Sequence, residues 1–283
     1  MAGVAVVTDS TSSLVPGQAE RAGIAVIPLQ VVIDGVSRPE TEVPAGEVAE
    51  ALRAGRRVST SRPTPEVMAA TYADLVEGGC DAIVSVHLSG KISGTCDAAA
   101  VAARAVERPV LVVDSLTVAM GAGFAALSGA DAARAGADAD TVVGLVRARA
   151  AASSFYFYVD RLDYLRRGGR ISAPAAMLGS ALAVKPLLTV VDGEIRAAER
   201  VRTESRALAR LDELAQSALA PVAARGGRVG VAVHHLDNLV GAQRLVDRLS
   251  SRVPAGEIVV TEMSAVLGVH VGPGTVGIVV SPE

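Results

Sequence analysis

The segment Asp81-Ala-Ile-Val-Ser-Val-His87 leads directly into Leu88-Ser-Gly-Lys-Ile-Ser-Gly-Thr95, which is followed by an alanine-rich stretch. The first segment is typical of a buried strand, and the alanine-rich stretch is typical of a helix. The loop between them therefore presents hydroxyl groups and the free backbone N–H groups of a helix start at the end of a strand. Such a site favours the binding of an anion.

The loop lacks the spacing of the common phosphate and nucleophile motifs. A Walker loop requires Gly-Lys-Ser/Thr, whereas Lys91 is followed by Ile92. A nucleophile elbow requires Gly-x-Ser-x-Gly, and Lys91 occupies the position of its first glycine before Ser93. The loop is therefore expected to hold an anion rather than to cleave or phosphorylate it. A hydrolase that uses Ser93 with a histidine base remains an alternative.

The first half of the chain alternates short runs rich in valine and isoleucine with longer alanine-rich segments. This pattern predicts an α/β fold with a mostly parallel sheet covered by helices, in which ligands bind beyond the carboxyl ends of the strands. The predicted strands are Gly3–Thr8, Ile24–Val32, Ala82–His87 and Val110–Asp114, and the predicted helices are Pro16–Ala22, Pro44–Arg53, Pro65–Glu77, Ser93–Ala105 and Met120–Ala135.

The pattern of strand-like and helix-like segments in the second half of the chain predicts a mixed α/β domain. Asp192-Gly193 separates two strand-like runs and is typical of the turn of a hairpin. We expect a boundary near residue 150, after a helix at Asp140–Ala152, which gives domains at 1–150 and 151–283. The predicted strands of this half are Phe155–Asp160, Val184–Val191, Glu194–Val201, Arg228–His234, Glu257–Glu262 and Thr275–Val280, and its predicted helices are Glu204–Leu219 and Leu239–Ser250.

The composition argues against several classes of protein. With 27 basic and 30 acidic residues the net charge is −3, which gives no general attraction to nucleic acid or anionic lipid. Cys80 and Cys96 form neither a disulfide framework nor a metal-ligand cluster, and no metal or other cofactor is expected. The N-terminus has no secretory pattern, and no apolar run approaches the ~20 residues of a membrane span. We expect a cytoplasmic protein without stable membrane insertion.

The few aromatic residues are concentrated in one region. Phe155, Tyr156, Phe157, Tyr158 and Tyr164 are five of the seven in the chain. One interpretation is an aromatic strand that fills a core otherwise built from alanine, valine and leucine. The other is the wall of a large apolar pocket.

Hydroxyl groups and one glycine are the first set of candidate ligand groups. Thr60 and Ser61 precede a helix that begins with proline, and Thr64 alone is sufficient to cap that helix. Thr60 and Ser61 are therefore candidates to bind a ligand. In the segment Leu88–Thr95, here called the main loop, Ser93 either caps the following helix or binds the ligand, and Gly94 would let a ligand approach the backbone closely.

An arginine and a histidine complete the candidates. Gly168-Gly169 is expected to end a helix and to turn Arg170 toward a cleft. His270 lies in Gly268-Val-His-Val-Gly-Pro-Gly274, which predicts a loop and a ligand role for the histidine. His234-His235 ends a strand and is interpreted as a structural pair, since no cysteine or glutamate clusters with it to indicate a metal site.

Thr60, Ser93 and His270 would together surround a small oxyanion if the fold brings them close. A buried carboxylate must be fully hydrogen-bonded, and each charge-assisted bond contributes roughly 1.5–3 kcal/mol. Burial of an acyl tail would add ~0.8 kcal/mol per methylene before the costs of binding. For a long-chain acid the head group would then fix orientation, while the tail supplies most of the affinity.

Six stretches that span nearly the whole chain occur in a fixed order: Thr8-Asp-Ser-Thr11, Thr60-Ser-Arg-Pro63, Leu88–Thr95, Asp163–Ile171 with its Tyr-Leu-x-x-Gly-Gly-Arg core, Lys185-Pro186 and His270-Val-Gly-Pro-Gly274. Together, and in this order, they resemble the DegV family. Two positions depart from the family pattern, because Arg62 stands where glutamine is usual and Gly90 stands where a second serine is common.

The resemblance implies a two-domain α/β protein that holds one long-chain fatty acid in a tunnel at the domain junction. Thr60 and Ser93 match the family residues that hold the carboxylate, and His270 and Arg170 match residues that face the head group or a partner. Arg62 would add a cation at the same place. Some family members are the acyl-binding subunit of a bacterial fatty acid kinase, whose separate ATP-binding subunit forms an acyl phosphate for phospholipid synthesis. Since no nucleotide motif is visible here, we expect a binding and presenting subunit rather than an enzyme.

A second hypothesis rests on an analogy of fold with the substrate subunits of dihydroxyacetone kinases. In it, the chain is the substrate-binding subunit of a phosphotransferase, and His270 anchors a small carbonyl compound covalently. This hypothesis predicts a small polar pocket, whereas a long apolar tunnel would exclude it.

Overall fold

The predicted strand at Ala82–His87 lies inside a parallel sheet. The computed structural model describes residues 3–171, 184–250, 253 and 258–283. In the first sheet all neighbours run parallel and the order is β2-β1-β6-β7. Because β6 is central, its carboxyl end and the loop that follows it open at the edge where ligands of parallel sheets bind. The strands are β1 (Val4–Asp9), β2 (Ile24–Ile27), β6 (Ala82–His87) and β7 (Val110–Asp114).

Helices cover both faces of this sheet. On one face Val7 and Ile83 pack against Met68 and Tyr72, and on the other Val84 packs with residues of two later helices. This alternation of strand side chains between two cores confirms the predicted α/β class. The helices on the two faces are α3 (Pro65–Glu77) and α4 (Thr95–Ala102), and α5 (Met120–Arg134) and α6 (Ala139–Ala152); α1 (Gln18–Ala22) precedes β2.

A small antiparallel sheet corrects one sequence prediction. The predicted strand Ile24–Val32 is wrong, because the chain leaves the parallel sheet at Pro28 and begins a new strand at Gln30. Asp34 and Gly35 have φ of 50° and 87°, as expected for a tight hairpin turn. The strands of this sheet are β3 (Gln30–Ile33), β4 (Val36–Pro39) and β5 (Val58–Ser61), in the order β4-β3-β5. The sheet packs on two helices, α2 (Ala45–Arg53) and α10 (Ala265–Val271).

The second half contains a mixed six-stranded sheet with the order β10-β9-β8-β13-β11-β12, in which only β11 and β12 pair in parallel among the described strands. Asp192-Gly193 forms the predicted hairpin turn, with φ of 52° and 81°. The elements are β8 (Ser154–Tyr158), β9 (Lys185–Val191), β10 (Glu194–Val201), β11 (Val229–His235), β12 (Ile258–Glu262), β13 (Val276–Pro282), α8 (Glu204–Ala223) and α9 (Leu239–Leu249).

The two faces of the mixed sheet have different partners. One face packs on α8 and α9, and the other contributes Phe155 and Leu188 to a core shared with Leu88 and Met120 of the first half. The domain boundary near residue 150 stays a prediction, and Glu257, the first residue of one predicted strand, lies outside the described residues. The remaining elements are the helix α7 (Asp163–Arg167) and the 3-10 turns Ser10–Ser12, Glu40–Glu42 and Ala103–Ala105.

Among the helices that the structure describes, none is both long enough and apolar enough to cross a membrane.

Candidate functional site

A cavity of about 250 Å³, here called the main cavity, lies between the small sheet, the loop after β6, β8 and α10. All the candidate residues of the sequence analysis line it, although they come from distant parts of the chain. The candidates are Thr60, Ser61, Arg62, Ser93, Gly94, Arg170 and His270.

The rest of the main cavity is apolar. Phe155 and Phe157 of β8 line it and are also part of the buried core, so the two interpretations of the aromatic strand are both correct. Further apolar lining comes from both halves of the chain and includes Leu88, Val118, Leu165, Ile195, Met263 and Leu267. The cavity thus has a polar end and a hydrocarbon-like wall.

Thr60 and His270 contact each other directly across the polar end. The Thr60 Oγ1 and His270 Nε2 atoms are 2.9 Å apart, although the residues are 210 positions apart in sequence. Thr60 lies in β5, and its neighbour Thr64 caps α3 as expected. Burial, and then the positive charge of Arg170, lowers the pKa of His270 to about 4, so the imidazole is neutral at neutral pH.

The prediction of a loop around His270 is wrong. The residue lies in the last turn of α10, which ends before Gly272. Two side chains hold the start of this short helix: Ser264 accepts a hydrogen bond from the Leu267 N–H, and buried Glu40 accepts one from the Val266 N–H. Burial raises the pKa of the Glu40 carboxyl.

Gly168, Gly169 and Arg170 connect α7 to the main loop. Gly169 has a φ of 70°, and the Arg170 N–H donates to the Leu165 carbonyl over 3.0 Å, which turns the chain as the sequence predicts. A methyl group on Gly168 would collide with the His270 ring. The Arg170 side chain donates from Nε to the Ile92 carbonyl over 3.1 Å and from Nη1 to that of Gly168. Arg170 therefore fixes the main loop beside His270.

Ser93 keeps its hydroxyl near the cavity and does not cap a helix. Its Oγ lies 2.8 Å from the Thr95 Oγ1, and α4 begins after Gly94 without a side-chain cap. The Arg62 guanidinium lies so close to Gly94 that a Cβ there would displace it. Ser93 has no hydrogen bond to a histidine among the described residues, so the arrangement gives no support to the hydrolase alternative.

A buried polar network behind the main loop was not anticipated from the sequence. Asp9 Oδ2 accepts hydrogen bonds from the Leu88 N–H and from His87 Nδ1, each over 3.0 Å. His87 Nε2 then lies 2.8 Å from Ser85 Oγ, which lies 2.8 Å from the Tyr72 hydroxyl. The order resembles a catalytic triad, but Ser85 has no exposed surface, so the network has a structural role and anchors the start of the loop.

The other histidines do not indicate a metal site. His234 is fully buried, its Nε2 accepts from the Met120 N–H over 3.4 Å, and burial lowers its pKa to about 3. Within the described part of the chain, no group of three or more metal-ligating side chains comes together. These contacts support the interpretation of His234 as structural.

Comparison with known proteins identifies the family. The sequence model of a protein family, described as "Uncharacterised protein, DegV family", matches residues 3–283. The chain belongs to the DegV family. A DegV domain-containing protein of Streptomyces coelicolor is 51% identical over 280 residues, which cover 98% of each chain. One from Mycobacterium tuberculosis is 39% identical over 281 residues, covering 98% of this chain and 96% of the relative.

Solved structures of DegV family proteins have the same fold. The Thermus thermophilus protein, described as binding fatty acid, superimposes with a TM-score of 0.91 at 31% identity and covers 99% of this chain and 100% of its own. Bacillus subtilis DegV, described as a fatty acid binding protein, gives a TM-score of 0.89 at 32% identity, with 100% of both chains covered. The DegV fold expected from the sequence is thereby confirmed.

Proposed function

We propose that the chain binds one long-chain fatty acid in the main cavity. The observation that carries the proposal is the division of this cavity into a polar end, with Thr60, Ser93 and His270, and an apolar remainder. A carboxylate with a hydrocarbon tail matches both parts. The Thermus and Bacillus relatives, each described as fatty acid binding and each above 30% identical, support the same proposal.

Neutral hydrogen-bond donors hold the carboxylate in this proposal. When the proton of neutral His270 is on Nε2, the ring donates to Thr60, and the Thr60 hydroxyl proton remains for the carboxylate. Ser93 supplies a second hydroxyl, and Ser61 and Gly94 complete the ligand-binding set. Arg62, which also lines the main cavity, adds a positive charge near the carboxylate, whereas the guanidinium of Arg170 bonds to the Ile92 and Gly168 carbonyls.

Organic extraction of the purified protein, followed by mass spectrometry, is expected to release a long-chain fatty acid. In the delipidated protein, Thr60→Val should weaken palmitate binding by about tenfold, because one charge-assisted hydrogen bond is lost. Thr71→Val is the matched control, since Thr71 lies on α3 with its hydroxyl bonded to the Val67 carbonyl. Extracts without fatty acid, together with no binding of added palmitate, would refute the proposal.

We further propose that the chain presents the carboxylate to a separate ATP-binding kinase subunit, which forms the acyl phosphate. No nucleotide-binding motif is visible in the sequence, so in this proposal a second protein binds the ATP that donates the phosphoryl group. Use of ATP would make this a cytoplasmic reaction. The alternative, a small carbonyl compound bound covalently to His270, is disfavoured by the apolar wall of the main cavity.

Arg170→Ala is expected to abolish phosphorylation of bound fatty acid by such a kinase subunit while palmitate still binds. The reason is that Arg170 fixes the main loop through the Ile92 carbonyl, whereas the hydroxyls of Thr60 and Ser93 remain. Palmitate binding by calorimetry and acyl phosphate formation with the added subunit measure the two effects. Loss of both would instead assign Arg170 to the head group.

A further inference from the structure

A second cavity, of about 430 Å³, adjoins the main cavity. Thr60, Arg170 and His270 line both cavities, so these three residues form the junction between them. We call the second cavity the arginine pocket, because three further arginines line it and are exposed at the surface: Arg56, Arg57 and Arg167. The arginine pocket therefore lies next to the polar end of the main cavity and carries exposed arginines at the protein surface.

The arginine pocket has an excess of positive charge. None of its described lining residues is acidic. Arg56 is compensated, since its Nε lies 2.7 Å from the Asp34 carboxylate. The Arg167 guanidinium lies 5.0 Å from the centre of the Tyr164 ring and donates from Nε to the Asp163 carbonyl over 3.3 Å. Asp34 also accepts the backbone N–H of Arg57 over 3.0 Å, but among the described residues the side chains of Arg57 and Arg167 have no carboxylate within salt-bridge distance. At least two guanidinium groups are thus available for an external anion.

We propose that the arginine pocket binds the phosphate of the acyl phosphate, an inference that rests on the proposed function. With the tail in the apolar part of the main cavity, a group added to the carboxylate would lie at the junction, next to the arginine pocket. Guanidinium groups match phosphate in charge and in bidentate geometry. We assign Arg57 and Arg167 to the phosphate. Both line the arginine pocket and neither lines the main cavity.

The proposed site is consistent with the chemistry of phosphoryl transfer. A carboxylate oxygen attacks the terminal phosphorus of ATP, a new P–O bond forms, and the bond to the leaving ADP oxygen breaks with its electron pair going to ADP. No proton or redox partner is needed. The same pocket chemistry would accept the terminal phosphate of the nucleotide or free phosphate, so the experiment must separate a phosphate attached to the lipid from a free one.

Competition binding with palmitate and hexadecyl phosphate on delipidated protein tests the assignment. We expect Arg57→Ala and Arg167→Ala each to lower the affinity for hexadecyl phosphate by about tenfold. The affinity for palmitate should fall by less than about twofold, because only the phosphate reaches the arginine pocket. Arg248→Ala, at an exposed arginine in the last turn of α9, is the control and should change neither affinity. Thermal unfolding checks that each variant is folded.

The outcomes separate the inference from the proposed function. If both variants bind hexadecyl phosphate as the unmodified chain does, or lose palmitate equally, the arginine pocket does not hold the phosphate. If the unmodified chain binds neither compound, the fatty acid proposal itself is wrong. Inorganic phosphate added to palmitate-loaded protein distinguishes the source: binding that Arg57→Ala removes supports a site for free phosphate, and no binding supports a site specific for the lipid-linked group.

Discussion

Replacement of Ile195 by tryptophan is expected to reduce the affinity for palmitate by about 100-fold. Ile195 lies on β10, is half-buried and lines the apolar part of the main cavity. An indole at this position would occupy space that the tail requires. Each excluded methylene forfeits ~0.8 kcal/mol, so the exclusion of about four corresponds to at least this loss of affinity.

The matched control is Val191→Trp on the neighbouring strand of the same hairpin. Val191 is 40% exposed and does not line the main cavity, so palmitate should bind as it does to the unmodified chain. Shorter acids, such as octanoate, should be much less affected by Ile195→Trp than palmitate is. Equal affinities of the two tryptophan variants for palmitate would show that the tail does not occupy this cavity.

Asp9→Ala is expected to lower the free energy of unfolding by about 3–5 kcal/mol, because it leaves buried partners of a charged group without a hydrogen bond. Asp9 is 1% exposed and accepts from the backbone N–H groups of Thr11 and Leu88 and from the His87 ring. Chemical denaturation measures the effect. The Leu88 contact also predicts weaker binding of palmitate, since the main loop begins there.

Asp114→Ala provides the comparison for Asp9→Ala. Asp114 ends β7, a strand of the same parallel sheet, and also accepts two backbone N–H groups, from Gly90 and Leu116, but it is exposed to solvent. Water can replace these bonds, so we expect a loss of only about 1 kcal/mol. If the two aspartate variants are equally stable, the buried network does not anchor the loop.

The class of fold could be predicted because local signals were strong. Hydrophobic runs alternate with alanine-rich segments, and Asp192-Gly193 gave the later hairpin. The boundary between β2 and β3 lies at Pro28, inside the predicted strand Ile24–Val32, and the run of apolar residues on both sides of this proline hides it; Asp34-Gly35 marks only the next turn, between β3 and β4. The helix around His270 was missed because Gly268, Gly272 and Pro273 weaken local propensity, and side chains from distant segments stabilise its start.

The candidate residues could be selected from the sequence, but their contacts could not. No local pattern reveals that Thr60 reaches His270, or that Arg170 bonds to Ile92, because these contacts depend on the packing of three sheets. The buried hydrogen-bond network that links Asp9 to Tyr72 through His87 and Ser85 could not be predicted for the same reason. Its residues are ordinary strand and helix positions until the fold aligns them.

The junction residues Thr60, Arg170 and His270 border two compartments, whereas Ile195 and Arg57 each border only one. Chain-length preference and head-group preference can therefore be redesigned separately. Substitutions in the apolar wall would change which acids are accepted, and substitutions in the arginine pocket would change which derivatives are retained. A carrier for a different amphiphile could be engineered from this scaffold by changing either compartment while the three shared side chains are kept.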